Sequence, residues 1–157
     1  MLPLSSSVRH LKMATSLVAA LEAFSSPHDE KQLQALEEAI AVARPEEFKQ
    51  PEFRALLGVF ERFPEDDGYG VFWSIVHCLE ACKGYEAILV ESVSRAPSEF
   101  NLLMVNRLLN AGITEVDGEE LASLLASVAT NPNAPSRARQ SAQRFVAHQH
   151  AQRHTDA

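Results

Sequence analysis

GVFWSIVHCLEACKGYEAILVESVSRAPSEFNLLMVNRLLNAG, residues 70–112, is the most informative stretch of this chain. It reads as three consecutive helices, broken at Lys83-Gly84 and restarted at Pro97-Ser98-Glu99. The first is read by angle, at about 100° per residue around the helix axis. Over Asp67 to Lys83, the residues Val71, Phe72, Ile75, Val76, Cys78, Leu79 and Cys82 crowd one arc of roughly 160° by that geometry, a core-facing stripe. Opposite them, within roughly 80°, fall Asp66, Tyr69, Trp73, His77 and Glu80. This second face has two readings. A helix amid other helices packs on both sides and uses amphipathic Trp and His there, or the face is a recognition surface, since Trp and Tyr bury much area while keeping a polar handle.

Working outward, the second helix of the stretch spans Tyr85 to Arg95, with Tyr85, Leu89 and Val93 on one side. The third puts Phe100, Leu102, Met104, Val105, Leu108 and Leu109 on one side and Asn106, Arg107 and Asn110 on the other, and stops at Asn110-Ala111-Gly112. Downstream, Asp117 followed three residues later by Glu120 predicts a capping box opening a helix with Leu121, Leu124, Leu125 and Val128. A last helix is expected from Ser136 to about His148, with Ala138, Ala142, Phe145 and Val146 inward and 149–157 as a frayed tail.

Upstream, Val8, Leu11, Thr15, Val18, Leu21 and Phe24 recur at helical spacing from about Ser5. Ser26 is expected to cap a second helix with Pro27 at its first position and Leu33, Leu36, Ile40 and Ala43 inward. Pro51 opens a third, carrying Phe53, Leu56, Leu57 and Phe60, closed by Phe63-Pro64. No alternating β-branched segment stands out, and Ile113 to Val116 is too short to carry a sheet. The expectation is therefore all-α: about eight helices in one domain, packed as antiparallel hairpins of roughly 35 to 40 residues in a short right-handed HEAT-like array, with an irregular bundle as the alternative.

Composition narrows the function. At 157 residues with 46% hydrophobic and 22% charged side chains, the chain is long enough to bury a core and is neither a disordered tail nor fibrous. No apolar run reaches a membrane span or a secretory signal, so a cytoplasmic location is the default expectation. Cys78 and Cys82 lie four residues apart on one helix face, which suits small core residues better than a redox or zinc pair. The net charge of −7 is uneven: residues 61–120 hold twelve acids against four bases, while 121–157 hold one acid against four bases. Such acidity disfavours nucleic acid and suits a basic protein partner.

Chemical motifs are scarce. His77 and Glu80 form a single HxxE, whereas di-iron bundles use paired copies. His148, His150 and His154 fall in the expected tail, and Gly68-Tyr69-Gly70 follows no strand, as a phosphate loop would. Nucleophile elbows, P-loops and dinucleotide fingerprints are absent, so no catalytic residue, metal or cofactor is assigned.

FWSIVHCLE, then GYEAILVESVSRAPSEFNLLMVNRLLNAG, then Val116-Asp117-Gly118 resembles the small bacterial immunity proteins of polymorphic-toxin systems over roughly residues 66–130. The resemblance implies an all-helical, non-enzymatic cytoplasmic binder that occludes a cognate toxin domain one-to-one, with a basic nuclease among the candidate toxins. It also implies Tyr69, Trp73, His77 and Glu80 as aromatic and polar anchors, with Asp66, Asp67, Asp117, Glu119 and Glu120 supplying charge. The alternative function is a HEAT-like adaptor for an endogenous partner, binding neither nucleic acid nor membrane.

Overall fold

The computed structural model describes residues 17–156, and among them the fold is all-α, with eight α-helices and one minimal hairpin. Residues 17–23 are the described part of α1. Then follow α2 (Glu30–Ala41), a 3₁₀ turn (Pro45–Glu47), α3 (Gln50–Arg62), a second such turn (Gly68–Gly70) and α4 (Val71–Glu80). After α5 (Glu86–Arg95) and α6 (Glu99–Asn110) come β1 (Glu115–Val116) and β2 (Glu119–Glu120), then α7 (Leu121–Ala129) and α8 (Ser136–Thr155). Of the first-helix stripe, Val8, Leu11 and Thr15 lie outside the described residues, while Leu21 and Phe24 are buried. The chain divides into two compact units, one comprising residues up to Val59 with Asp67–Tyr85, the other Phe60–Asp66 with Glu86 onward.

In the first unit the apolar faces of α2, α3 and α4 make the core. Leu36, Phe53, Leu56, Leu57, Phe72, Ile75, Val76 and Leu79 are all buried, each side chain stabilising by about 1.5–3 kcal/mol when fully withdrawn from water. Helices α2 and α4 lie side by side and point the same way. The Ser74 hydroxyl donates to Glu37 at 2.7 Å, and the Cys82 thiol lies 3.3 Å from the Pro45 carbonyl, each pair 37 residues apart. A constant offset with both positions advancing together requires parallel helices, with α3 returning the chain between them.

The second unit repeats that pattern. Glu99 on α6 meets Arg137 on α8, 38 residues on, and Gln149 donates to Asn106 at 2.7 Å, 43 residues back, so α6 and α8 also run in the same direction with α7 between them. The offsets of 37 and 38 fall within the 35–40 residue hairpin period expected for a helical repeat, and that of 43 lies slightly beyond it. Phe60 stacks on Phe100 at 5.3 Å between centroids, and Leu89, Leu102, Met104, Leu121 and Leu125 complete the core. Arg95 grips Glu61 through two bonds, at 2.6 and 3.2 Å, which holds its guanidinium pKa above the ordinary value by that hydrogen bond and charge.

Several boundaries differ from the sequence reading. The cap of α2 is Asp29, not Ser26: its carboxylate accepts from the backbone of Lys31 and Gln32, while the Gln32 side chain turns back to accept from the N–H groups of Ser25 and Ser26. Pro27 is buried in the preceding turn. Asp117 is not a helix cap either. Asp117 (φ 49°) and Gly118 (φ 83°) form the two-residue turn of a hairpin pairing Glu115 with Glu120 and Val116 with Glu119, so Ile113 to Val116 does contribute a short strand. Positive φ at both central residues is the type I′ geometry that Asp-Gly favours. Asn106, expected on the polar side of α6, is buried against Gln149. Helix α8 continues to Thr155, past His148 and through the expected tail.

Candidate functional site

The outward face of α4 begins in the turn before it. Gly68, Tyr69 and Gly70 have φ of 64°, 48° and 91°, three successive residues in the left-handed region. Gly68 and Gly70 adopt it without a Cβ penalty, but Tyr69 does so at a cost of about 1–2 kcal/mol. The Asp67 carboxylate offsets part of this by accepting from the Tyr69 N–H at 3.0 Å. The kink delays the start of the expected Asp67–Lys83 helix to Val71, and α4 ends at Glu80; the turn also thrusts the Tyr69 side chain outward, where 70% of it is exposed. Strain held in this way beside exposed aromatics is a recurrent feature of binding sites.

Along α4 the two faces separate as the wheel implies. Val71, Phe72, Ile75, Val76, Cys78 and Leu79 are buried, and Cys82 just beyond the helix end is buried as well. Trp73 is 41% exposed and His77 is exposed. Among the described residues this face is surface rather than a second packing face. The His77 ring lies 5.8 Å from the Trp73 ring at a 32° tilt, one helical turn on, and His28 meets Tyr69 edge-on at 6.2 Å. Glu80 is half-buried in the last turn.

The nine residues singled out from sequence fall into both units. Asp67, Tyr69, Trp73, His77 and Glu80 belong to the first; Asp66, Asp117, Glu119 and Glu120 belong to the second. The last three share the exposed hairpin, where Glu115 directly opposes Glu120, a like-charge cross-strand pair that disfavours pairing. Glu119 and Glu120 precede α7 directly, and negative charge there complements the helix N-terminus. Two neighbours of the α4 face escaped the sequence reading, His28 and Glu37. Both reach it from elements about 40 residues earlier, and only the wheel position of Glu37, on the flank of α2 away from Leu36, hinted at surface.

Elsewhere in the second unit, an open cleft is lined by Glu99, Arg137, Gln140, Ser141 and Arg144. Its charges satisfy one another, with Glu99 bonded to Arg137 and 3.7 Å from Arg144. Among the described residues, no three His, Cys, Asp or Glu side chains are grouped to hold a metal, and no helix is long and apolar enough to cross a membrane.

The cysteines are core residues whose thiols are held protonated. Burial, reinforced by neighbouring Cys82, pushes Cys78 from the ordinary 9.0 up to about 12; burial, then Glu46, pushes Cys82 up to about 11. Between pH 9 and those values the unfolded chain has lost thiol protons that the folded chain retains, so stability falls as pH rises through that window. Two outcomes are expected. The native chain resists Ellman's reagent near pH 8 until denatured, and its Tm falls on going above pH 9 more steeply than that of a Cys78→Ala/Cys82→Ala variant.

No family model, no curated protein and no solved structure matches the chain. The functional reading therefore rests on the site itself and on the resemblance described above.

Proposed function

We propose that this is a non-catalytic protein-binding domain of the immunity type, which neutralises a cognate toxin domain by one-to-one occlusion through the outward face of α4. The observation that carries the reading is the pair of exposed aromatics, Tyr69 and Trp73, on a backbone strained to present the first of them. Exposed large aromatics of this kind are the residues that most often dominate binding energy at protein interfaces. The acidic surface gives the same face its preference for a basic partner, a nuclease domain among them, chiefly through association rate and selectivity. The occluded toxin would be met in the cytoplasm of the protected cell.

The adaptor alternative draws on the side-by-side helix packing, which HEAT-like scaffolds share, and differs in the partner rather than the surface. The test is co-expression with the toxin domain encoded directly upstream, scored by growth. Rescue by the wild-type chain, lost in a folded Trp73→Ala variant, is expected. Absence of a toxin gene there, or growth arrest despite soluble wild-type protein, would rule the immunity reading out in favour of an adaptor.

A further inference from the structure

The parallel packing of α2 against α4 brings a second set of side chains to the α4 face, and these sharpen what the partner must present. Glu37 is fixed beside α4 by accepting the Ser74 hydroxyl at 2.7 Å, and Ser74 is the immediate neighbour of Trp73. Glu30 lies seven residues before Glu37, two turns back and about 20° around the helix, so both carboxylates line the edge of α2 that adjoins α4. Both are exposed. Lys31, the single base of α2, sits about 100° or more from them. Counted over its described residues, the first unit holds ten acids (Glu22, Asp29, Glu30, Glu37, Glu38, Glu46, Glu47, Glu52, Asp67, Glu80) against five bases (Lys31, Arg44, Lys49, Arg54, Lys83).

We infer that the exposed surface along the adjoining edges of α2 and α4 receives an arginine-bearing segment of the partner, whose guanidinium groups stack on Trp73 and pair with Glu37 and Glu30. This rests on the reading of the α4 face as the docking surface. Arginine fits better than lysine because its planar fork both stacks on an aromatic ring and bonds a carboxylate bidentately. An apolar segment would desolvate the two carboxylates without supplying a compensating charge. A second copy of this chain would oppose like charges at the same edge, and nucleic acid is repelled by it.

Trp73 is the only tryptophan in the chain, so its fluorescence reports on this surface directly. The full chain is titrated with a blocked nine-residue peptide alternating Arg with Gly or Ser, and with matched peptides carrying Lys or Gln at the Arg positions. The Arg peptide is expected to change Trp73 emission saturably and the Lys peptide to bind several-fold more weakly. The Gln peptide is expected to have no effect at the same concentrations. A Glu30→Gln/Glu37→Gln variant keeps an acceptor for Ser74, should lose only about 1–4 °C in Tm with the Glu30 charge at the start of α2, and is expected to lose about fivefold or more in Arg-peptide affinity.

Equal binding of the Gln and Arg peptides, or undiminished Arg-peptide binding by the double variant, overturns the inference. If that occurs while Trp73→Ala still abolishes rescue, the docking face stands and only its arginine preference falls. If Trp73→Ala leaves rescue intact, the docking face falls and this inference with it.

Discussion

Gly68→Ala is expected to destabilise the protein by about 2–5 kcal/mol, the sum of a left-handed backbone cost and an overpacking cost. At φ 64° any L side chain is strained, and here the new Cβ would lie 2.2 Å from Cδ1 and 2.5 Å from Cγ of Phe72. That ring has no room to retreat, being fully buried and edge-on to Phe24 at 6.5 Å. Gly70→Ala supplies the control: its φ is 91°, but nothing lies within 4 Å of the added carbon. It should cost only the backbone part, about 1–2 kcal/mol. For a chain of this size the Gly68 variant should lose on the order of 10 °C in Tm, and the Gly70 variant a few degrees. Equal losses in thermal and urea denaturation would mean that Phe72 does not fill the space under the turn. Because Gly68 adjoins Tyr69, the first variant should also disturb how the exposed ring is presented.

The second large effect is expected at Asn101, which is fully buried yet has every group engaged. Its carbonyl oxygen accepts from the Ser98 N–H at 2.8 Å, its backbone N–H donates to the Ser98 hydroxyl, and its amide nitrogen donates to the Ser92 hydroxyl at 3.1 Å and the Ala96 carbonyl at 3.0 Å. One side chain thus closes the capping box of α6 and ties it to the end of α5. Asn101→Asp keeps the shape but replaces the amide donor with a carboxylate oxygen facing the Ala96 carbonyl. At neutral pH this should cost about 3–5 kcal/mol, as a buried charge that keeps the Ser98 N–H but turns its other oxygen to the Ala96 carbonyl. The penalty should shrink as pH falls, because the protonated acid regains one donor. Asn101→Ala, lacking the charge, should cost about 2–3 kcal/mol with little pH dependence. Urea titrations at two pH values separate these; a pH-independent loss for Asn101→Asp would contradict the assigned bonds.

Much of this molecule is written locally. The α4 stripe from Val71 to Leu79 is buried as its period implies, and Ser98 opens α6 where Pro97-Ser98-Glu99 marked a start. Burial of these residues depends on helical phase alone, which a single chain displays. The misreadings share a different cause, in that one local pattern serves two structures. Asp117-Gly118 before Glu119-Glu120 suits a helix cap and a hairpin turn equally, and the hairpin takes it. Ser26-Pro27 and Asp29 are both sound caps, and the reach of Gln32 back to Ser25 and Ser26 favours Asp29. Asn106 is buried because Gln149 comes to it from α8, a partner that no local pattern reveals.

The candidate site divides in the same way. Trp73 and His77 share a face by periodicity, but whether that face meets solvent is a tertiary fact, and the structure exposes it. The left-handed turn at Tyr69 is implicit in the flanking glycines, while its outward ring and its contact with His28 depend on the packed unit. Glu37 joins the face only because α2 lies alongside α4.

The most direct test of the central claim is calorimetric titration of the purified chain with the proposed partner, a toxin domain encoded directly upstream, wild type against Trp73→Ala. The account predicts one-to-one binding that weakens about 100-fold or more in the variant, the loss typical of a central aromatic anchor, with the Tm little changed. Equal affinity for the two proteins would show that the outward face of α4 is not where the partner docks.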